Sequence, residues 1–367
     1  MKILCFIDNL GSGGAQRQLV NLALLFKEYG HEVKFLTYGE ADFFRAELDD
    51  NHIKVDCVHS KGAIDRIIKV RKYIRSGDQD VVISFLETPN FLACLSAIGG
   101  RDWKLITNER SSKVTSFINK RGRLFKWFEK FSDAIVCNSR NAQSMWEEYY
   151  PKYKYKLSTI YNPVLLPKLK PSNNVRKDDM IHMIVAASYQ YLKNMDGLIE
   201  AVNMLSDEHK RQLRIDWYGR IEVTTGNSVA YEEAMQKIER YQLKNTIFLH
   251  GTTKEVIQRM ADSDFVCLFS KYEGLPNAVC EGMSLGKPII MSRVSDYSIL
   301  VDKSNGFLCN ADDSNTIRVV LEKAISLSTD DINKMGESSK YKAKKLFDKT
   351  AILEQWMKLI NSIEKGW

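Results

Sequence analysis

Lys271–Ile290, KYEGLPNAVCEGMSLGKPII, decides the fold. Glu273 and Glu281 stand eight positions apart, separated by the turn Gly274-Leu275-Pro276 and the start of a helix. Pro276 suits a first helical turn, where its missing N–H costs nothing. Gly286 suits the helix C-terminus, and Pro288 stops the helix two residues later. Pro288–Ser292 then reads as a short buried strand. Glu281 therefore falls on the second turn of a helix whose N-terminus lies near Glu273. A helix N-terminus attracts anions through its unpaired N–H groups and its dipole. Backbone N–H groups around Leu275–Ala278 predict an anion site flanked by two carboxylates able to hold hydroxyl groups.

Strand and helix patterns alternate on either side of this segment. Lys2–Ile7 reads as a strand running into Gly11-Ser12-Gly13-Gly14. A helix follows with Ala15, Leu19, Leu22, Ala23 and Phe26 on one stripe, and Gly30 ends it. Glu32–Thr37, Asp80–Leu86, Trp103–Thr107 and Asp133–Cys137 read as further strands. Four of the seven prolines, Pro151, Pro163, Pro167 and Pro171, fall in one stretch with a polar run after it. The pattern then restarts. Met180–Ala187, Leu213–Gly219, Thr246–Gly251 and Asp264–Phe269 read as strands, with helices at Met195–Leu205 and Lys254–Asp262. Alternation of this kind predicts α/β architecture, with parallel sheets covered by helices on both faces. The predicted organisation is an N-terminal Rossmann-like domain over 1–163, a linker over 164–179 and a second Rossmann-like domain over 180–345. A helical tail with Ile352, Leu353, Trp356, Met357, Ile360 and Ile363 on one face occupies 346–367.

A chain of 367 residues suits two such domains. Its 44% hydrophobic and 27% charged content is that of a globular protein. No apolar run approaches the ~18 residues of a membrane span. Asp8 interrupts the N-terminal apolar stretch, against a signal peptide. Seven cysteines, an odd number without a Cys-x-x-Cys pair, predict reduced buried thiols in the cytoplasm and no zinc site. Much of the net charge of +7 lies in residues 101–130, with nine basic and three acidic side chains. That excess predicts an anionic partner at one face and is too small to point to nucleic acid.

Gly11–Arg17, between strand and helix, lets backbone approach a ligand at a helix N-terminus. A tight turn explains it as well. Gln16 at the third glycine position disfavours a dinucleotide fingerprint, and with it a dehydrogenase. Two Asp-x-Asp triplets, Asp78–Asp80 and Asp262–Asp264, precede strands rather than follow them. Turn chemistry accounts for them, and no catalytic metal is expected.

The ordered series over residues 180–310 resembles the Glu-x7-Glu pattern of retaining glycosyltransferases of the GT-B type, glycosyltransferase family 4 (glycosyl transferases group 1). His250-Gly251, Glu273–Pro276, Glu281–Met283, Gly286–Pro288 and Asn305-Gly306 carry that resemblance. Gly13–Arg17 is similar to the family's Gly-Gly-Ala-Glu-Arg, with Gln16 for the glutamate. Lys193-Asn194 matches its Lys-Asn or Lys-Gly, while Ala187-Ser188 replaces its Gly-Arg. Gly282 stands where alanine is usual, and Ser295-Asp296 where a glycine pair is usual.

The resemblance implies a GT-B fold, two Rossmann-like domains facing across a central cleft, with the tail helix crossing back to the first. It implies transfer of a sugar from a nucleotide-diphosphate donor, UDP being the commoner base, with retention of anomeric configuration and no metal. The expected donor-binding residues are Gly13, Gly14, Ser188, Lys193, Glu273, Gly274, Leu275, Pro276, Asn277, Ala278 and Glu281. Lys193 would neutralise the departing diphosphate, Glu273 would hold sugar hydroxyls and Glu281 the ribose. Arg220 or Arg293 would stand in for the arginine missing at Ser188. Glu87, Asn108, Glu109 and Arg110 are the acceptor-side candidates, with Glu109 and Arg110 able to pair with each other. The expected acceptor is a saccharide, free or linked to polyprenyl diphosphate, in bacterial surface polysaccharide assembly.

The mixed basic and aromatic stretch Phe117–Phe131, within 113–131, is either a core-packed helix with a solvated basic face or a helix touching anionic lipid. The expected location is cytoplasmic, peripheral on the inner face of the membrane. A nucleotide-sugar epimerase and a catalytically degenerate sugar-nucleotide binder are the competing readings, the latter favoured by Ser188.

Overall fold

The computed structural model describes residues 1–111, 113–170, 180–222 and 226–364. Most of the polar run predicted as a linker, residues 171–179, lies outside the described residues. The chain divides into two compact units, Met1–Leu165 with Asp348–Trp367, and Leu166–Phe347.

The first unit carries β1 (Lys2–Phe6), β2 (Glu32–Thr37), β3 (Lys54–Cys57), β4 (Val81–Phe85), β5 (Lys104–Glu109), β6 (Ala134–Cys137) and β7 (Leu157–Thr159). They form a parallel sheet in the order β3-β2-β1-β4-β5-β6-β7. β4, Val-Val-Ile-Ser-Phe, is buried along its whole length. This follows from helices covering both faces, and it is why such strands read as unbroken apolar runs. The order reverses between β1 and β4, which places the ligand crevice of such a sheet outside their carboxyl ends.

The tail helix, Lys349–Ser362, belongs to this unit. The Asp348 carboxylate caps it, accepting from the Thr350 and Ala351 N–H groups at 3.0 Å each. Its buried stripe of Ile352, Leu353, Trp356 and Ile360 packs into the core of the first sheet, Trp356 edge-on to Phe26 at 6.2 Å.

The second unit carries β8 (Ile181–Ala186), β9 (Leu213–Tyr218), β10 (Ile247–His250), β11 (Phe265–Leu268), β12 (Ile289–Ser292) and β13 (Gly306–Cys309). The order is β10-β9-β8-β11-β12-β13, again parallel, with the reversal between β8 and β11. The two units share a device at the opposite, amino-terminal edge. Asp80 accepts from the Lys2 N–H at 2.9 Å, and Asp264 from the His182 N–H at 2.8 Å. Each aspartate ties the start of one central strand to the next. The last aspartates of both Asp-x-Asp triplets thus serve the sheets. Among the described residues no cluster of three His, Cys, Asp or Glu side chains could hold a metal.

β3, β7 and β13 escape the sequence patterns. They are short, half-exposed edge strands, so the two-sided burial that marks the central strands is missing.

The decisive segment folds as turn, helix and strand. The helix is Asn277–Ser284, with Pro276 one position earlier than predicted, as its N-cap. At its end the Lys287 N–H reaches the Gly282 carbonyl at 2.9 Å and the Gly286 N–H the Met283 carbonyl at 3.0 Å. Gly286 has φ +73°. This is a Schellman closure, which needs a left-handed residue and so a glycine. Gly282, in the family's alanine position, faces β11: a Cβ there would lie 2.7 Å from Val266 Cβ. The glycine lets the helix sit directly on the strand. Gly282→Ala is expected to destabilise the second unit by about 1–3 kcal/mol through overpacking, read by urea denaturation.

Candidate functional site

In the second unit the predicted donor residues gather at the carboxyl ends of β8 and β11, at the strand-order reversal. Lys193 follows β8 in a short turn closed by the Lys271 N–H donating to the Leu192 carbonyl at 2.8 Å. Its Nζ lies 2.6 Å from Glu273 Oε1, with both side chains largely buried. Ser270 Oγ donates to the same carboxylate oxygen at 2.6 Å, and Ser292 Oγ to the Ser270 carbonyl at 2.5 Å. The three strand ends β8, β11 and β12 thereby fix one ammonium and one carboxylate in register. Beside them begins the helix Asn277–Ser284, whose N-cap residue, Pro276, offers no side-chain acceptor to its first N–H groups. Glu281 is half-buried one turn in.

Local backbone explains the motif spelling. Asn194 adopts the left-handed conformation, φ +61°, and its Nδ2 donates to the Ala311 carbonyl at 2.7 Å. Only glycine or asparagine takes that conformation cheaply, so the residue after the lysine is Asn or Gly. Ser295 is also left-handed, φ +54°. It occupies a glycine's conformation, and its Oγ donates to the Gly274 carbonyl. The serine at this family glycine position thus tethers the Glu273-Gly274 turn.

Ser188 is engaged locally, its Oγ accepting from Gln190 Nε2 at 3.0 Å. The next residue's N–H, of Tyr189, donates to the Arg220 carbonyl at 3.0 Å. Gly219 makes that approach possible, since a Cβ there would lie 1.9 Å from the Ala187 carbonyl oxygen. The fold therefore puts Arg220, exposed, alongside the position where the arginine is missing. Arg293, also exposed, follows β12 on the same sheet edge.

In the first unit, Gly13 is the N-cap and Gly14 the first residue of the helix Gly14–Glu28. Gln16 Nε2 donates to Asp8 Oδ1 at 3.1 Å. Burial pushes the Asp8 carboxyl up, against hydrogen bonds from Asn9 and Gln16. A glutamate at position 16 would set a second carboxylate there, so glutamine fits this chain.

The acceptor-side candidates separate. Glu87 opens the helix Glu87–Ala97. Asn108 is buried at the end of β5, its Nδ2 donating to the Ser84 carbonyl at 3.2 Å. Glu109 and Arg110 do not form the side-chain pair that sequence adjacency offers. In-line neighbours on a strand point to opposite faces. Glu109 Oε2 instead receives Lys126 Nζ at 2.6 Å and Trp146 Nε1 at 3.3 Å. Arg110 lies over the Phe85 ring at 3.7 Å and donates to Asn162 Oδ1. Burial lowers the basicity of its guanidinium.

The basic stretch is two short helices, Val114–Ile118 and Lys120–Phe128, joined at Asn119, whose side chain accepts from the Gly122 N–H at 2.6 Å. A Glu129–Phe131 turn follows. Phe117 packs in the core and Lys126 is 4% exposed, so neither belongs to the solvated face. Burial disfavours the Lys126 charge, but Glu109 outweighs it and raises the ammonium pKa. Val114, Ile118, Leu124 and Trp127 remain exposed beside Lys113, Lys120, Arg121 and Arg123. Lys126 and Glu109, 17 positions apart, were not separable as a pair by any sequence period.

The seven cysteines are all free, and six are buried. Burial raises the thiols of Cys5, Cys94, Cys137, Cys267, Cys280 and Cys309, which makes them inert packing groups. Among the described residues no helix is long and apolar enough to cross a membrane.

Residues 12–166 match the family model for Glycosyltransferase Family 4, and residues 181–326 that for Glycosyl transferases group 1. The chain is 25% identical over 385 residues, covering all of both chains, to a Campylobacter jejuni enzyme. That enzyme is named GalNAc-alpha-(1->4)-GalNAc-alpha-(1->3)-diNAcBac-PP-undecaprenol alpha-1,4-N-acetyl-D-galactosaminyltransferase. This chain is also 23% identical, over 98% of its length and 99% of the relative, to an N-acetylgalactosamine-N,N'-diacetylbacillosaminyl-diphospho-undecaprenol 4-alpha-N-acetylgalactosaminyltransferase of the same organism. Anabaena Alr3699/HepE, solved with UDP and glucose, superposes with a TM-score of 0.86 over 99% of this chain and 100% of that one, at 18% identity. With two doubly wound parallel sheets and a motif series that runs through both matched regions, this chain belongs to the group 1, family 4 glycosyltransferases of the GT-B fold.

Proposed function

We propose that this glycosyltransferase moves a sugar, with retention and without a metal, from a UDP-sugar to a saccharide carried on a lipid diphosphate. The observation that carries the donor half is the Lys193–Glu273 pair beside the start of the helix Asn277–Ser284. A diphosphate departing from the sugar gains negative charge. An ammonium and a helix N-terminus already in place stabilise that charge without reorganisation. In this reading Lys193 and the backbone around Leu275–Ala278 hold the diphosphate, Arg220 supplements them, Glu273 takes sugar hydroxyls and Glu281 the ribose.

The bond between the anomeric carbon and the phosphate oxygen breaks, with its electron pair going to the diphosphate. The acceptor hydroxyl bonds to the same carbon on the same face, and its proton passes to the leaving phosphate oxygen. Lipid-linked acceptors in the names of the Campylobacter relatives support the acceptor half.

A thermal-shift screen with UDP-, GDP- and ADP-sugars, with and without EDTA, tests the donor assignment. One nucleotide class should raise the melting temperature regardless of EDTA, and Glu281→Ala should remove most of that shift by weakening ribose binding. A shift abolished by EDTA would overturn the metal-free reading. No shift with any nucleotide would move weight to a degenerate family member that has lost donor binding, which Ser188 favours, or to an enzyme that binds its acceptor first.

The exposed Leu124 and Trp127 beside Lys120 and Arg123 support peripheral docking on anionic lipid. Leu124→Ser with Trp127→Ser should weaken sedimentation with phosphatidylglycerol vesicles by about ten- to a hundredfold, since each side chain is only half exposed and the two together have roughly 1.5–3 kcal/mol of burial left to gain. Unchanged sedimentation would exclude this face.

A further inference from the structure

Arg66 packs on Tyr38, and Arg121 bonds Thr88, at the carboxyl edge of the first sheet. Arg66, in the first turn of the helix Ala63–Ser76, lies over the Tyr38 ring at 4.5 Å. Arg121, from the helix Lys120–Phe128, donates through Nη2 to Thr88 Oγ1 at 3.0 Å. Burial pushes the Tyr38 hydroxyl pKa up, and Arg66, Arg121 and the Thr88 side chain work against that rise. Tyr38 follows β2 and Thr88 follows β4. The four residues therefore sit around the strand-order reversal, where open parallel sheets bind ligands.

The charge here is unbalanced. Among the described residues neither arginine has a carboxylate within 4.0 Å, whereas Arg45, Arg101 and Arg259 pair with Asp49, Asp133 and Glu255. Arg66 makes one long polar contact, Nε to Ser60 Oγ at 3.4 Å, and Arg121 the one to Thr88. A guanidinium carries five N–H donors, so most of this donor capacity is uncommitted. The acid that faces Tyr38 is Asp8, which is partly buried and whose carboxyl burial pushes up. The backbone beside Thr88 is strained. Leu86 has φ +79° and ψ +153°, a region that is essentially glycine's alone and costs about 1–3 kcal/mol. Such strain persists where the surroundings hold a loop in one functional shape.

We infer that Arg66 and Arg121, with Tyr38 and Thr88 between them, form the site that grips the diphosphate of the lipid-linked acceptor. The inference rests on the proposed function and supplies its missing anion site in the first unit. Two guanidinium forks suit two linked phosphates, since each presents parallel donors to phosphate oxygens. The Tyr38 and Thr88 hydroxyls add neutral donors between them. The exposed apolar and basic residues that follow Arg121 on its helix lie on the same short element, so a lipid tail leaving the diphosphate has an adjoining surface to follow.

The test uses Arg66→Gln, Arg121→Gln and the double variant of the full chain, checked for an unchanged melting temperature. A prenyl-diphosphate-linked N-acetylhexosamine and the same sugar as an alkyl glycoside are compared as acceptors. The double variant should raise KM for the diphosphate acceptor about 100-fold, each charge-assisted contact being worth roughly tenfold. KM for the donor and the efficiency on the alkyl glycoside should stay within about twofold, the scatter of a surface change. A rise in donor KM instead would assign the arginines to the nucleotide diphosphate and overturn the inference, as would an unchanged acceptor KM. Calorimetric binding of the prenyl-diphosphate sugar separates this inference from the proposed function. If wild type binds it and the double variant does not, the site stands even where no sugar is transferred. If wild type does not bind it, the site is refuted.

Discussion

Lys193→Gln is expected to lower kcat by about 100- to 1,000-fold, the usual loss when one preorganised donor to a developing anion is removed. The substitution keeps a polar side chain of similar length and removes only the charge. Lys193 is held by Glu273 at 2.6 Å, and Glu273 is held in turn by Ser270. In the proposed reaction the ammonium is therefore in place before the donor arrives and loses little freedom when the diphosphate separates. Because that charge grows along the reaction, the loss should fall on kcat more than on donor affinity. Glu281→Ala gives the opposite pattern, with donor KM raised and kcat nearly kept, since ribose contacts are the same before and during transfer. Steady-state kinetics on the two variants checks the pair of assignments. Wild-type turnover and donor affinity in Lys193→Gln would remove Lys193 from the mechanism and leave Arg220 or Arg293 as the phosphate ligand.

The parts of this site that the sequence makes legible are those written in local backbone. The Schellman end at Gly286, the proline before Asn277 and the left-handed Asn194 are each a residue type demanded by one dihedral angle. They place Lys193, Glu273 and the helix start from a single chain without any tertiary knowledge. What stays hidden is pairing across elements. Adjacent Glu109 and Arg110 suggest a pair, but strand geometry sends them to opposite faces and each takes a distant partner. Lys126 reads as one of five basic residues on a mixed helix, and only packing shows that it alone points inward. Arg66 carries no signal, because its meaning comes from Tyr38 and Arg121 across three crossovers. The short edge strands are lost for a related reason, since edge position removes the apolar continuity that identifies a strand.

Lys126→Met is expected to destabilise the first unit by about 3–5 kcal/mol, the penalty for leaving one member of a buried ion pair without its partner. Both side chains are nearly inaccessible, at 5% and 7% exposure, so water cannot replace the lost contact. The ammonium also lies 4.2 Å from the Phe117 ring centroid and 4.6 Å from that of Trp146, which the methionine only partly replaces. At about 2–4 °C per kcal/mol for a unit of this size, the melting temperature should fall by roughly 10 °C. Glu109→Gln added to Lys126→Met should recover most of the loss, because the amide oxygen still accepts from Trp146 Nε1 and neither position carries a charge left without its partner. Failure of the second substitution to rescue would mean that packing around Phe117 and Trp146, rather than the stranded carboxylate, sets the cost. The pair is also what fastens the helix bearing Arg121, Leu124 and Trp127 to β5. The single variant should therefore lose vesicle binding and acceptor affinity below its melting temperature, and the rescued double variant should regain both, since stability and function at this face depend on the same buried anchor.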